Sequence, residues 1–317
     1  MKFGASIWPF QWEPPYDAAI TRLASLGFKA TELIAWNKDF LNDYYTPETI
    51  RNLKKLLDGE GVQLSQFVST PHDLSSGDEG KREAAVEHWK RTVEVGAQLG
   101  SPIINMVSSH PFAVKDGQEV PRITTKPLVS KYGYVPPRGL DWDQNFKDYV
   151  AAMRRCADLC EAAGVLMSVE PHPGRYLGNT DGALRLLEHV NSKAMGVNLD
   201  PSHTFPVGDF PNISVYRLGK KIIHCHVSDN DGVTNVHWRP GTGKIDWTAM
   251  FQAFKDVGYD GVISIELEDV PGVSRGPAST APGVYRNVTA TDVFAHETVL
   301  AMEYLKGICA DLGIKCD

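Results

Sequence analysis

The sequence predicts a closed (β/α)8 barrel, an α/β fold built as one domain over residues 1 to 317. Two observations lead to it. Short β-rich runs alternate with longer segments of helical period, and eight such units fit a chain of about this length. The rival doubly wound sheet would normally bring a glycine-rich phosphate turn after an early strand, and no G-x-G-x-x-G occurs.

The strand runs are "KFGASIW" (2 to 8), "ATELIAW" (30 to 36), "QLSQFVS" (63 to 69), "PIINMVS" (102 to 108), "LMSVE" (166 to 170), "AMGVNLD" (194 to 200), "IIHCHVS" (222 to 228) and "GVISIELE" (261 to 268). Between them the apolar spacing lengthens toward 3.6. Ile50, Leu53, Leu56 and Leu57 share a helical face behind an N-cap at Thr46 and a first-turn Pro47. Val86, Trp89, Val93 and Ala97 form a second stripe, and Phe146, Val150, Met153 and Ala157 a third. Further helices are expected at 180 to 190, around 212 to 220, at 246 to 258 and at 291 to 312. Each helix is a crossover returning the chain to a parallel sheet. Two segments, 109 to 141 and 270 to 290, exceed an ordinary βα loop and suit a substrate lid or a subunit contact.

Composition narrows the function. A hydrophobic share of 42% supports a full core, and no apolar run is long enough for a membrane span. Pro9 interrupts the N-terminal run too early for a signal peptide, which places the chain in the cytoplasm. Five cysteines without a C-x-x-C pair are poor material for a disulfide framework, and Cys156 and Cys160 suit a helix core. A net charge of −7 argues against nucleic acid as partner.

The chemistry is expected where the last four strands end, in "SVEPHP", "NLDPSH", "HCHVSD" and "SIELED". A parallel barrel gathers these ends on one face, so Glu170, Asp200, His226 and Glu266 can meet around one ion. Each acid taken alone would pass as a helix cap or a surface charge. Four potential ligands on four successive strands argue for a site. Three carboxylates and an imidazole suit a divalent cation, with Mn²⁺ the first choice and Mg²⁺, Co²⁺ or Zn²⁺ as alternatives. The absence of thiolates separates the set from structural zinc and leaves positions open for substrate oxygens.

His203 stands three residues after Asp200, as a ligand, a hydrogen-bonding neighbour or a substrate contact. His224 shares the face of His226 one layer deeper and is expected to be structural. His72, His110 and His237 also follow strands toward the same mouth. Trp8, Trp12, Trp36 and Trp238 offer flat walls for a sugar ring. "RPGTG" is a tight turn before a helix, or a set of amides for an anion.

The motifs "VEPHP", "LDPSH", "HCHVSD", "RPGTGKIDW" and "SIELED" resemble those of the xylose-isomerase-like TIM barrels, the sugar phosphate isomerases and epimerases, over nearly the whole chain. The resemblance implies that Glu170, Asp200, His226 and Glu266 hold the metal and that Glu170 and Glu266 exchange protons with substrate. It implies that His203 and Arg239 contact substrate; His72, His237 and Trp36, by their places after strands at the same mouth, are further substrate-binding candidates. The expected reaction removes a proton beside a carbonyl, with the ion stabilising the enediolate charge. Glu170 acts as base and Glu266 returns a proton, while His110 or His203 serves a leaving group. The family also holds lyases: inositol or keto-sugar dehydratases, and large subunits of 3-keto-glycoside C- or O-deglycosidases that work with a small β-rich partner subunit. An oligomer acting on a small carbohydrate or keto-glycoside is therefore expected. AP endonucleases of the same superfamily use a histidine-rich site, but Asn235 stands where they have an aspartate. No lysine lies at the last four strand ends for a Schiff-base aldolase. A non-catalytic sugar-binding barrel is the alternative from outside enzymology.

Overall fold

Each expected strand run folds as a strand in the computed structural model, which describes residues 1–114, 133–270 and 288–317. The barrel strands are β1 (Lys2–Ala5), β2 (Ala30–Ile34), β3 (Gln63–Val68), β4 (Ile103–Val107), β5 (Leu166–Glu170), β6 (Met195–Leu199), β7 (Ile222–Val227) and β8 (Val262–Ile265). All pairings in the barrel are parallel, and β1 pairs with both β2 and β8 to close it. The register sets Val107 beside Glu170 and Ser264 beside His226, which lifts these groups toward the C-terminal mouth.

The surrounding helices are α1 (Asp17–Ser25), α2 (Pro47–Glu60), α3 (Glu79–Leu99), α4 (Trp142–Ala162), α5 (Thr180–Val190), α6 (Pro211–Leu218), α7 (Trp247–Val257) and α8 (Val288–Asp311). Their starts follow local chemistry. Thr46, Asp78, Asp141, Asn179 and Asp246 each accept a backbone N–H of the first turn, satisfying a donor that the helix itself leaves unpaired. The α1 helix was not among the predicted segments, since its buried stripe is only Ala19, Ile20 and Leu23. At Gly96 α3 comes so close to β4 that a Cβ would collide with Ile104.

The apolar core lies between barrel and helices, where Phe67, Trp89, Met153, Leu186, Phe251 and Phe254 are fully buried. The upper interior of the barrel is different. Glu32, Gln66, Asn105, Ser168, Asn198, His224 and Ser264 are buried there and cross-linked by hydrogen bonds, in place of the branched aliphatic side chains that usually fill such a lumen. Polar groups this deep are retained only when paired, so the network marks a place the fold keeps polar.

At the opposite end, the N-terminal amine reaches the Lys315 carbonyl at 2.9 Å, and the Phe3 amide donates to Asp317 O at 3.1 Å. The cysteine reading needs a correction here: Cys309 is joined to Cys316. Gly313, at φ +62°, turns the chain after α8, and the Ile314 amide returns to Cys309 O at 2.7 Å, carrying the tail back along the helix. Cys156, Cys160 and Cys225 are buried free thiols.

Of the two long segments, residues 115–132 and 271–287 lie outside the described residues. What is described of the first includes an antiparallel ribbon of Ala113–Val114 with Tyr134–Val135. Among the described residues no helix is long and apolar enough to cross a membrane.

Candidate metal centre

The four strand ends converge. Glu170 is the last residue of β5, Asp200 follows β6, His226 lies in β7, and Glu266 follows β8. One ligand atom from each lies within 4.8 Å of the others, and all four residues are buried. Asp200 caps a helix with only one of its two oxygens. Its Oδ1 accepts the Ser202 amide at 2.7 Å, capping the one-turn helix Pro201–Thr204, while Oδ2 is buried without a hydrogen-bond partner. Glu266 divides in the same way: Oε1 accepts Trp8 Nε1 at 2.8 Å, and Oε2 is buried without a hydrogen-bond partner.

Three acids this close repel one another by about 4 kcal/mol per pair at 4 Å, taking an effective dielectric of about 20. The protein answers with imidazoles. Burial pushes Glu170 up to about 7 against the pull of His226, and the neighbouring Glu266 and Asp200 add to the rise. Burial would raise Glu266 too, yet His226, His237 and His203 hold it below the usual carboxylate range. Burial works against a charge on His226, but Glu32, Glu170 and Glu266 raise its pKa well above the ordinary value. Burial likewise opposes a charge on His237, which Asp200 and Asp269 raise to about 9. The site thus calls for positive charge at its centre. Asp200 Oδ2 and Glu266 Oε2, which face only imidazole nitrogens and make no hydrogen bond, fit a divalent cation together with the donor set of three carboxylates and one imidazole.

Around this centre the predicted histidines separate into near and far. His203 Nε2 lies 3.4 Å from Asp200 Oδ2, and Asn235 Oδ1 faces its Nδ1 at 2.8 Å. His237 Nε2 lies 3.3 Å from the same Asp200 oxygen. His172, which its sequence position does not single out, lies against His203 with ring centroids 3.5 Å apart and planes tilted by 34°, and its ligand atom groups with those of Glu170 and His203. His110 is half-buried farther out, with Nδ1 3.0 Å from Tyr134 Oη, and the exposed His72 lies 5.5 Å from it between ring centroids. Arg239 donates from Nε to Glu297 of α8 at 2.8 Å.

Trp36 stacks on Trp12 at 4.4 Å and meets Trp8 edge-on at 5.9 Å, so an aromatic wall runs to the Trp8–Glu266 hydrogen bond. The amides of "RPGTGKIDW" are largely committed. Asp229 accepts from the Gly241 and Ile245 amides and from Trp247 Nε1, and Asn230 O accepts from the Lys244 amide. At Gly243 a Cβ would overlap Asn230 and Asp229. These contacts make the segment a tight turn.

The model of the xylose isomerase-like TIM barrel family matches residues 20–287. The chain belongs to this family. Among its relatives, D-psicose 3-epimerase of Ruminiclostridium cellulolyticum is 26% identical over 278 residues, 84% of this chain and 83% of that one. Inosose dehydratase of Geobacillus thermodenitrificans is 23% identical over 283 residues, 83% of this chain and 85% of the other. The crystal structure of D-psicose 3-epimerase from Clostridium cellulolyticum H10 with D-tagatose superposes with a TM-score of 0.72 at 20% identity, covering 97% of this chain and 99% of that one. The family is thus one of sugar epimerases and inosose dehydratases.

In this xylose isomerase-like barrel the other half of the lumen holds the quartet in place. Asn105 of β4 donates from Nδ2 to Glu170 Oε2 at 3.2 Å and is itself fixed by Ser168 Oγ at 2.7 Å. Glu32 of β2 lies 2.9 Å from His226 Nε2, and Gln66 of β3 donates to Glu32 Oε2 at 2.5 Å. His224 sits below, with Nδ1 3.0 Å from Asn198 Oδ1 and Nε2 3.3 Å from Ser65 Oγ, which is the structural place expected of it. Inward-facing acids and amides in the strand runs were the signal for Glu32, Gln66 and Asn105.

Proposed function

We propose that the protein is a divalent-metal-dependent carbohydrate isomerase or epimerase that moves a proton on a carbon beside a carbonyl. One observation supports this reading above the others: three carboxylates and one imidazole from four successive strands bring buried ligand atoms to one point, two of them carboxylate oxygens without hydrogen-bond partners, in an epimerase and dehydratase fold. Glu170, Asp200, His226 and Glu266 would hold the ion, with Mn²⁺ preferred among Mn²⁺, Mg²⁺, Co²⁺ and Zn²⁺. When bound, the cation supplies Lewis-acid stabilisation of the charge that develops on the substrate's carbonyl oxygen.

The protein's own groups do the rest. Glu170 takes the proton and Glu266 returns one, Glu266 being oriented by Trp8 and Glu170 by Asn105. The Trp8, Trp12 and Trp36 wall packs against the apolar face of a sugar, while His203 and His237 contact its hydroxyls. His72, His110 and Arg239 are assigned to the outer part of the pocket. The protein is placed in the cytoplasm, as an oligomer that does not act on nucleic acid.

A second reading, a lyase acting on keto-sugars, inososes or 3-keto-glycosides, with a β-rich partner subunit in the last case, is favoured by the imidazoles of His172, His203 and His237 beside the quartet. They offer proton carriers for a leaving group that an epimerase does not need. Stripping the metal, reloading single ions, and following solvent deuterium into ketoses, inososes and keto-glycosides by NMR tests both readings. Metal-dependent isotope uptake with carbon skeleton and substituents retained is expected. Elimination products select the lyase, and full activity after chelation, or ligand binding without exchange, removes the proposal.

A further inference from the structure

Glu32 sits on the far side of His226 from the three carboxylates, and this placement separates the two ring nitrogens. Nδ1 faces the quartet, 2.8 Å from Glu170 Oε1 and 3.0 Å from Glu266 Oε2. Nε2 faces Glu32, 3.1 Å from Oε1 and 2.9 Å from Oε2. We infer that Glu32 is a positioning residue for the metal: it holds the Nε2–H of His226 and thereby commits Nδ1 to the ion.

The state of the carboxylate oxygens sets Glu32 apart from Asp200 and Glu266, while Glu170 differs from it by facing the Nδ1 side of the ring. Asp200 Oδ2 and Glu266 Oε2 are buried without hydrogen-bond partners. Both oxygens of Glu32 are already engaged: Oε1 accepts Ser6 Oγ at 3.2 Å and Ser264 Oγ, and Oε2 accepts Gln66 Nε2 at 2.5 Å. A carboxylate with neutral donors on both oxygens is held still, and the contact left to it is the imidazole. His226 neighbours Ser264 in the strand register, so the donor that fixes Glu32 and the ring it holds move together. A carboxylate behind a ligating histidine selects the tautomer, fixes the ring plane and raises ligand basicity. Here it comes from β2, across the lumen from β7.

This inference rests on the metal reading, and the test separates the two. Mn²⁺ affinity is measured by chelator competition on the full chain and on Glu32→Gln and Glu32→Ala. Loss of such a partner typically weakens metal affinity by roughly 10- to 100-fold. Glu32→Gln, which keeps the shape and an acceptor oxygen, is expected at the low end and Glu32→Ala at the high end. A wild-type chain that binds no divalent ion sinks the metal reading. A wild-type chain that binds tightly, with Glu32→Gln within twofold of it, sinks the role of Glu32 alone. A second measurement needs no substitution at Glu32. In ¹⁵N-histidine-labelled wild-type protein loaded with Zn²⁺, the His226 signals, assigned by their loss in His226→Asn, should show a protonated Nε2 and an unprotonated Nδ1. The reverse pattern overturns the inference, and a bracing role confined to fold stability would not fix the tautomer.

Discussion

The two halves of the barrel carry polar groups of different kinds. Strands β5 to β8 end in the proposed ligands, with buried oxygens lacking hydrogen-bond partners on Asp200 and Glu266. The first half carries Trp8, Glu32 and Asn105, each bonded to one member of the quartet: Trp8 to Glu266, Glu32 to His226, and Asn105 to Glu170. Asp200 is held by the backbone of its own turn. One half is therefore built to be completed by something from outside, and the other to hold it still. The difference shows that preorganisation here is a property of the closed cylinder. In an open sheet, β2 and β7 would have no reason to meet.

The largest expected effect falls on the open half. Glu170→Gln and Glu266→Gln, assayed at saturating metal, should each lower kcat by about 10²- to 10⁴-fold, the range for a general acid or base. Near-normal turnover of either variant with full metal content would show that the halves do not divide into actors and braces. On the bracing half, Asn105→Ala should weaken Mn²⁺ binding by roughly 10- to 100-fold, because Glu170 loses the donor that aims it. If its affinity falls less than twofold, Asn105 packs the lumen and does not brace the site.

The pH dependence joins the halves through one ring. Burial opposes a charge on His226, but Glu32, Glu170 and Glu266 raise its pKa well above the ordinary imidazole value in the metal-free protein. An ion bound through Nδ1 must displace that proton, so affinity should climb about tenfold per pH unit for one proton released, and level off above the raised value. The metal-free fold shows the opposite slope. The stability contributed by a charged His226 is fully present below its unfolded pKa of about 6.5 and is lost as pH rises through the folded one. Chelator competition at several pH values, beside thermal melts of the metal-free protein, reads both. A flat affinity profile would mean that Glu32 and its neighbours do not hold the ring as a cation.

The sequence showed one half of this arrangement better than the other. Asp200 and Glu266 each end an apolar run, where a charge is conspicuous, and "NLDPSH" advertises its turn through Pro201. Glu32 lies inside "ATELIAW" and Asn105 inside "PIINMVS", where a polar residue reads as an interruption of a strand. Their roles arise from contacts across the lumen, and strand periodicity alone does not give the partner. The register shift between Thr31 and Glu32 in the β2–β3 pairing further changes which residues share a level. His172 was passed over for a related reason: it follows Glu170 by two residues in a loop, and the fold of that loop onto His203 is not written in its spacing. Arg239 likewise has a partner that its motif does not show, Glu297 of α8.

The smallest effect gives the sharpest comparison, because it separates a brace from a wall within one cluster of rings. Trp8→Phe keeps an aromatic ring near Trp36 but removes the indole N–H that donates to Glu266 Oε1. Trp12→Phe also keeps a ring, and it leaves the backbone carbonyl that accepts Trp36 Nε1. One hydrogen bond is worth about 1 kcal/mol, so Trp8→Phe should lower kcat/KM roughly fivefold, mainly in kcat, because a loosened Glu266 returns the proton less well. Trp12→Phe should act through KM, because it trims the surface against which a sugar packs. Steady-state kinetics of the two variants on the same substrate decides the matter. Equal effects on KM, with kcat untouched in both, would make Trp8 part of the wall and leave Glu266 without a brace from the first half of the barrel.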